Sequence, residues 1–155
     1  SVIAFATHGL LADDLAHARE PSLVLTIPDE PTELDDGILT ASEVARLELD
    51  ADWVLLSACN TASDVPGIGA DGLSGLARAF FHAGARSLLV SHWAVDSRAA
   101  QLITTRAIGA HENGDVRGKA EALRASMLHM LAGESGGNLA HPVYWAPFVQ
   151  VGDGR

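Results

Sequence analysis

The sequence contains one cysteine and one lysine, and aromatic residues make up only 5% of its 155 positions. A single cysteine can form neither an intrachain disulfide nor a cysteine-based zinc cluster. No apolar run reaches the roughly 20 residues of a membrane-spanning helix, and the first residues lack the basic-then-apolar pattern of a signal segment. These absences favour a reducing cytoplasm as the expected location. The scarcity of lysine beside abundant alanine is typical of a GC-rich bacterial genome.

The charge is strongly one-sided, at −10 with a pI of about 4.9. An acidic surface repels phosphate groups, so nucleic acid and anionic membranes are poor partners, whereas a basic substrate would be attracted. Hydrophobic residues make up 48% of the chain, which suits one compact α/β domain.

Apolar periodicity predicts strands that alternate with helices. The predicted strands cover residues 2–7, 23–27, 52–58, 86–92 and 144–151. The predicted helices include one opened by a capping box at Thr40 and Glu43, one ending near Gly84, and two at 97–112 and 115–132. This order predicts a mostly parallel sheet with helices on both faces. The strand at 52–58 is apolar throughout, as in a strand buried on both sides.

Three chemically capable side chains follow predicted strands. His8 comes after the first strand, Cys59 after the apolar strand, and His92 closes the next one. Functional groups in open α/β sheets gather beyond the carboxyl ends of the strands. A lone cysteine is most often a small buried hydrophobe, so its position alone decides little.

The pairing of Cys59 with His8 gives the cysteine a chemical role. His8 lies 51 residues before Cys59 (59 − 8), a spacing known from caspases. A thiol needs a partner that removes its proton and later protonates the leaving amine, and one imidazole can do both. Gly9 lacks a Cβ, so its backbone N–H can face a developing oxyanion together with the N–H of Cys59. This chemistry needs no metal or organic cofactor.

Several stretches, taken in order, resemble the motifs of the CHAT domain, which groups with caspases and separases among cysteine peptidases. They are residues 6–9 (Ala-Thr-His-Gly), 55–61 (Leu-Leu-Ser-Ala-Cys-Asn-Thr), 75–87, 91–96 (Ser-His-Trp-Ala-Val-Asp) and 141–148. The resemblance runs from residue 1 to residue 153. It implies a caspase-like three-layer sandwich and a His8–Cys59 dyad that cleaves a protein or peptide substrate through a thioester.

The resemblance also implies chain beyond these residues. CHAT domains normally begin with further strands and a helix before the histidine strand, and they often follow tetratricopeptide repeats. The first predicted strand starts at residue 2 without a preceding start signal. Residues 1–155 are therefore expected to be the C-terminal catalytic part of a CHAT domain. Its N-terminal strands, together with any tetratricopeptide repeats before them, are the expected partners.

Three further residues are candidates for substrate binding. Asp96 follows the strand next to the cysteine strand, and the similar separase motif uses an acidic residue in this loop to recognise a basic side chain. The same Asp96 also fits a helix N-cap, which would explain it alone. Asp64 is a weaker alternative. His92 replaces a usually apolar residue of the family and is either a second polar wall of the cleft or a packing residue. Caspase aspartate specificity does not transfer, because the caspase Gln-Ala-Cys-x-Gly context is replaced here by Ser57-Ala58-Cys59-Asn60-Thr61.

Two other functions are consistent with parts of the sequence. Residues 67–72 (Gly-Ile-Gly-Ala-Asp-Gly) fit a dinucleotide-binding fingerprint, but that motif works when the glycines follow a strand at once. Here seven residues separate Cys59 from Gly67. A non-catalytic interaction module with the same fold is the other alternative. No trio of histidines and carboxylates has the spacing of a catalytic metal site.

Overall fold

The computed structural model describes residues 1–10, 20–32, 35–56, 75–134 and 136–155. Its strands are β1 (Val2–Phe5), β2 (Gly9–Leu10), β3 (Ser22–Val24), β4 (Ile38–Thr40), β5 (Trp53–Leu56), β6 (Ser87–Ser91) and β7 (Phe148–Gly152). Its helices are α1 (Ala41–Val44), α2 (Gly75–His82), α3 (Ser97–Glu112) and α4 (Lys119–Leu131), with short 3-10 helices at Gly137–Ala140 and Pro142–Tyr144.

A mostly parallel sheet organises the chain in the order β1-β5-β6-β7. The first three of these strands are parallel, and β7 runs antiparallel to β6 at one edge. In this register Phe5 pairs with Leu56, and Leu56 pairs with Val90. The predicted mostly parallel α/β architecture is confirmed.

Two apolar cores lie on opposite faces of this sheet. Alternate residues of a strand point to opposite faces, and β5 is buried along its whole length. Val54 and Leu56 pack in the core that holds α1 and α2, whereas Trp53 and Leu55 pack in the core that holds α3 and α4. The chain therefore has three layers, helix, sheet and helix, as predicted.

Local signals in the sequence explain where several elements begin and end. The Thr40 side chain accepts from the Glu43 N–H while the Glu43 carboxylate accepts from the Thr40 N–H, which is the predicted capping box of α1. Gly84 follows α2 with φ +104°, a conformation that favours glycine. The helix at 97–112 has the predicted bounds.

A small antiparallel sheet, in the order β2-β3-β4, stands apart from the main sheet. The strand expected at 23–27 forms as β3 and belongs to this small sheet. Its neighbours are only two and three residues long, too short to give a periodic signal. Because β2 begins at Gly9, the small sheet lies next to the end of β1.

Several predicted boundaries are wrong. The strand predicted at 2–7 ends at Phe5, and the strand predicted at 23–27 ends at Val24. The last helix starts at Lys119 rather than 115, after Gly118 as an N-cap residue without a side-chain bond. The final strand starts at Phe148 rather than 144, because Pro142–Tyr144 form a 3-10 helix. Residues 57 and 58 of the predicted apolar strand lie outside the described residues.

Ion pairs join β5 and β6 where the two strands begin. The Arg86 guanidinium contacts Asp50 at 2.9 Å and also contacts Asp52. The Ser87 hydroxyl donates to the Asp52 carbonyl at 2.7 Å. These contacts support the register that aligns the other ends of the strands.

Candidate active site

The carboxyl ends of β1, β5 and β6 meet at one edge of the sheet, because the three strands are parallel and in register. His8 follows Phe5, the last residue of β1, by three positions, and His92 comes directly after β6. Cys59 lies outside the described residues, as does Asp64. In the sequence Cys59 follows Leu56, the last residue of β5, by three positions.

Backbone and side-chain contacts hold the turn that carries His8. The Val24 N–H donates to the His8 carbonyl at 2.9 Å, and the Thr7 hydroxyl donates to the Val24 carbonyl. The His8 side chain is exposed. The small sheet thus fixes the backbone on which this imidazole sits, while the ring stays open to solvent.

Gly9 is in a geometry that leaves its N–H turned away from β3. Gly9 pairs with Leu23 in an antiparallel ladder, and the hydrogen bond from the Val24 N–H to the His8 carbonyl joins the flanking residues. Antiparallel pairs alternate between those that exchange hydrogen bonds and those that do not. The Gly9–Leu23 pair is of the second kind, so the Gly9 N–H points to the side of β2 opposite β3.

A cavity of about 500 Å³ contains His8 in its wall. It runs between β1 and α3, and none of its lining residues is aspartate, glutamate, lysine or arginine. They are Ala4, Ala6, Thr7, His8, Leu55, Val95, Ser97, Ala100, Gln101, Thr104, Thr105 and Ile108. In a chain with 30 such charged residues, an uncharged concave surface of this size is a candidate binding surface.

Asp96 caps α3 and also lies in the loop that lines this cavity. Its Oδ1 accepts from the N–H groups of Arg98 and Ala99, at 3.0 and 3.1 Å. The predicted N-cap role of Asp96 is therefore confirmed. Its sequence neighbours Val95 and Ser97 both line the cavity that holds His8. Among the described residues the Asp96 side chain accepts no other hydrogen bond, and both of its bonds use the same carboxylate oxygen.

His92 is at the same edge of the sheet, on the side of β6. Its N–H donates to the Pro147 carbonyl at 3.0 Å, and its side chain is exposed. Next to it, the Trp93 indole N–H donates to the Val143 carbonyl at 3.2 Å. These bonds attach the start of the β6–α3 loop to the segment before β7.

Some contributors to this site could not be inferred from the sequence. Thr7 and Val24, which hold the His8 turn, and Gln101 and Thr104, which line the cavity, were not predicted. Thr7 lies beside His8 in the Ala-Thr-His-Gly stretch, and Gln101 and Thr104 carry no sequence signal beyond their place in a predicted helix. The glycines at 67–72 lie outside the described residues.

Within 1–10, 20–32, 35–56, 75–134 and 136–155, no group of three or more histidine, cysteine or acidic side chains is arranged to hold a metal ion. Over the same ranges, no helix combines the length and the apolar character needed to cross a membrane.

Comparison with known proteins identifies relatives along nearly the whole chain. The mouse protein named tetratricopeptide repeat protein 28 is 32% identical over 142 residues, which are 92% of this chain but 6% of that protein. The human protein of the same name is 31% identical over 119 residues, 77% of this chain and 4% of that protein. The chain thus spans a small part of these relatives. The CHAT domain family model matches residues 1–153, and the chain therefore belongs to the CHAT domain family, with its caspase-like fold.

Proposed function

We propose that this chain is a cysteine endopeptidase with Cys59 as nucleophile and His8 as acid–base partner. One observation carries the proposal. Phe5 and Leu56 are paired in register on parallel strands, and His8 and Cys59 each follow their strand by three residues. Because His8 and Cys59 lie the same number of residues beyond paired strand ends, we expect the imidazole and the thiol to be close together. The exposed His8 ring and the cavity beside it support a site that a polypeptide can reach.

The proposed reaction needs only these groups and water. His8 takes the proton of the Cys59 thiol, and the thiolate attacks the scissile carbonyl carbon. The N–H groups of Gly9 and Cys59 donate to the oxyanion, and the orientation of the Gly9 N–H away from β3 supports this role. The carbon–nitrogen bond then breaks as His8 protonates the leaving amine. Water, deprotonated by His8, hydrolyses the thioester and regenerates the thiol.

A comparison of wild-type chain with the Cys59→Ala variant tests this proposal. Both are incubated with a peptide library prepared from a bacterial lysate, and new amino termini are identified by mass spectrometry. Cleavages present only with the wild type support the peptidase. Their absence, in the full-length protein as well as in this chain, favours the non-catalytic interaction module.

A reducing cytoplasmic setting is part of the proposal, because the single thiol must stay reduced.

We propose that Asp96 favours a basic substrate residue while it caps α3. Asp96→Asn should keep the cap, since asparagine and aspartate are equally good N-caps, but remove the charge. We expect unchanged thermal stability and loss of any preference for arginine or lysine, measured with fluorogenic peptides that differ at one residue. A charged partner contributes about 1.5–3 kcal/mol to a hydrogen bond, so the preference should fall about tenfold or more.

Asp96→Ala is the matched control, because it removes both roles. It should lower the free energy of unfolding by about 1 kcal/mol and change the preference as Asp96→Asn does. A preference for basic residues that persists in both variants would reduce Asp96 to its capping role. Asp64→Asn then tests the weaker alternative.

We further propose that a preceding segment of the longer protein covers β1 and the far part of the cavity. Among the described residues, no strand pairs with the edge of β1 opposite β5. The cavity follows α3 from Ser97 to Ile108, about 16 Å at 1.5 Å per residue, and Ala4 and Ala100 give it a floor of small side chains. Such a surface suits a strand at the edge of β1 and a helix packed beside α3.

Hydrogen exchange of the full-length protein tests this arrangement. Amides of Val2–Phe5 that point away from β5 should exchange at least about tenfold more slowly than in chain 1–155, because a neighbouring strand would protect them. Amides of the opposite edge strand, Phe148–Gly152, are the internal control and should be unaffected. Equal exchange of Val2–Phe5 in both proteins would contradict the proposal.

A further inference from the structure

An exposed apolar patch lies beside the small sheet, on residues that follow β3 and α1. Leu25, Ile27 and Leu47 expose 41%, 66% and 39% of their surfaces. They are three of the seven large hydrophobic residues that are exposed in the described part of the chain. Single exposed hydrophobics are ordinary, but a cluster marks a candidate interaction surface.

The patch surrounds a cavity of about 230 Å³ between β3, β4 and α1. Its apolar walls are Leu25, Ile38, Leu39 and Leu47. Gly37 closes one side with φ +85°, and a Cβ built there would come within 2.8 Å of the Ile27 side chain. The concave shape can accept one aliphatic side chain, such as leucine or methionine.

Carboxylates outnumber cations at and around this cavity. Asp35 and Glu43 line it together with one cation, Arg46, and Glu43 is occupied by the capping box of α1. Exposed carboxylates precede or follow the apolar residues in the sequence, at Asp29, Glu30, Asp36 and Glu48. A ligand whose apolar side chain is flanked by lysine or arginine would match this pattern of charge.

The patch is directly connected to the turn that carries His8. The Val24 N–H donates to the His8 carbonyl at 2.9 Å. The next residue is Leu25, and its N–H donates to the Gly37 carbonyl at 2.7 Å. Adjacent Cα atoms are about 3.8 Å apart, so the patch begins within about 10 Å of the His8 backbone. An extended polypeptide covers that distance with about three or four residues.

We infer that this patch is an exosite for the protein substrate, which binds a segment with one aliphatic side chain flanked by basic residues. The inference rests on the proposed function, because it concerns the substrate of the same site. The substrate is the favoured occupant because one extended segment can reach both the patch and the surroundings of His8. The site extends substrate recognition beyond the residues next to the cut.

Binding to the inactive Cys59→Ala chain is the first test. The fluorescent peptide Gly-Arg-Arg-Leu-Arg-Arg-Gly is compared by anisotropy with versions in which serine replaces leucine or glutamate replaces every arginine. We expect each change to weaken binding about tenfold or more, and salt to weaken binding of the basic peptide. Leu25→Ser and Leu47→Ser should weaken it at least about fivefold. Leu131→Ser, on α4 with 52% exposure, is the matched control and should not.

Equal binding of the three peptides, or equal loss in Leu47→Ser and Leu131→Ser, would overturn the exosite. The second test measures cleavage by the wild-type chain of a peptide substrate fused to the Arg-Arg-Leu-Arg-Arg segment. The fusion should raise kcat/KM at least about fivefold over the same peptide without the segment. The Leu47→Ser variant should show no such gain. Binding without this gain identifies a site for a different protein and overturns the substrate assignment. Absence of any cleavage that depends on Cys59 would refute the proposed peptidase function. The binding experiment does not require cleavage, so it tests the patch separately.

Discussion

Alanine at Cys59 or at His8 should abolish peptide cleavage while the fold remains intact. Without the thiol no thioester can form, and without the imidazole the thiol remains mostly protonated and the leaving amine receives no proton. Loss of a general acid–base group alone typically costs about 10²–10⁴ in rate, and His8 would serve both half-reactions. We therefore expect a decrease of at least about a thousandfold for each variant.

We would measure the initial rate of cleavage of a peptide whose new amino terminus was identified by mass spectrometry. Thermal unfolding of every variant would show whether the fold is intact. His92→Ala is the first control, because His92 lies at the same edge of the sheet, and its effect should be mild. His82→Ala, at an exposed position in the last turn of α2, is the second and should have no effect. If His92→Ala were as damaging as His8→Ala, the assignment of His8 as the base would be wrong.

The Gly84→Ala variant should lose about 3–5 kcal/mol of unfolding free energy. Gly84 has φ +104°, and a Cβ there would lie 2.2 Å from the Leu49 carbonyl oxygen. That oxygen cannot retreat easily, because the Leu49 N–H is bonded to the Ala83 carbonyl at 2.6 Å. The strained backbone and the overlap each cost about 1–3 kcal/mol. The turn leads from α2 into β6, so its distortion would also disturb the strands beside the candidate site.

A second glycine separates the two contributions. Gly133 has φ +75°, but a Cβ there would meet no atom within 4 Å. Gly133→Ala should therefore show only the backbone cost, about 1–2 kcal/mol. Denaturant unfolding followed by circular dichroism gives both values by linear extrapolation. Similar losses in the two variants would mean that the contact with Leu49 adds nothing.

The long elements of the fold were predictable because their signals are local. The bounds of α3 follow from Asp96 as its cap, and β5 follows from an uninterrupted apolar run. The segment before β7 misled the prediction, because Tyr144 and Trp145 favour strands by composition. The capping of that segment by His141, whose Nδ1 accepts from the Val143 N–H at 3.2 Å, overrode this preference. Strands of two or three residues gave no usable pattern.

The candidate site was predictable only where it depends on strand ends. The positions of His8 and His92 after parallel strands followed from the alternation of apolar runs and helices. The cavity beside His8 depends instead on how closely α3 approaches β1, which is a tertiary distance without a local sequence signal. The patch around Leu25 and Leu47 was not anticipated for the same reason, since it needs three short elements to meet.

The sheet divides the interior into two compartments that share only a backbone. Truncation of Leu56 enlarges the space beneath α2, whereas truncation of Leu55 enlarges the space beneath α3. Substitutions in different compartments that share no contacts should therefore have additive energetic effects, whereas substitutions of residues in contact within one compartment should be coupled. Either helical layer can therefore accumulate changes over evolutionary time without requiring compensation in the other.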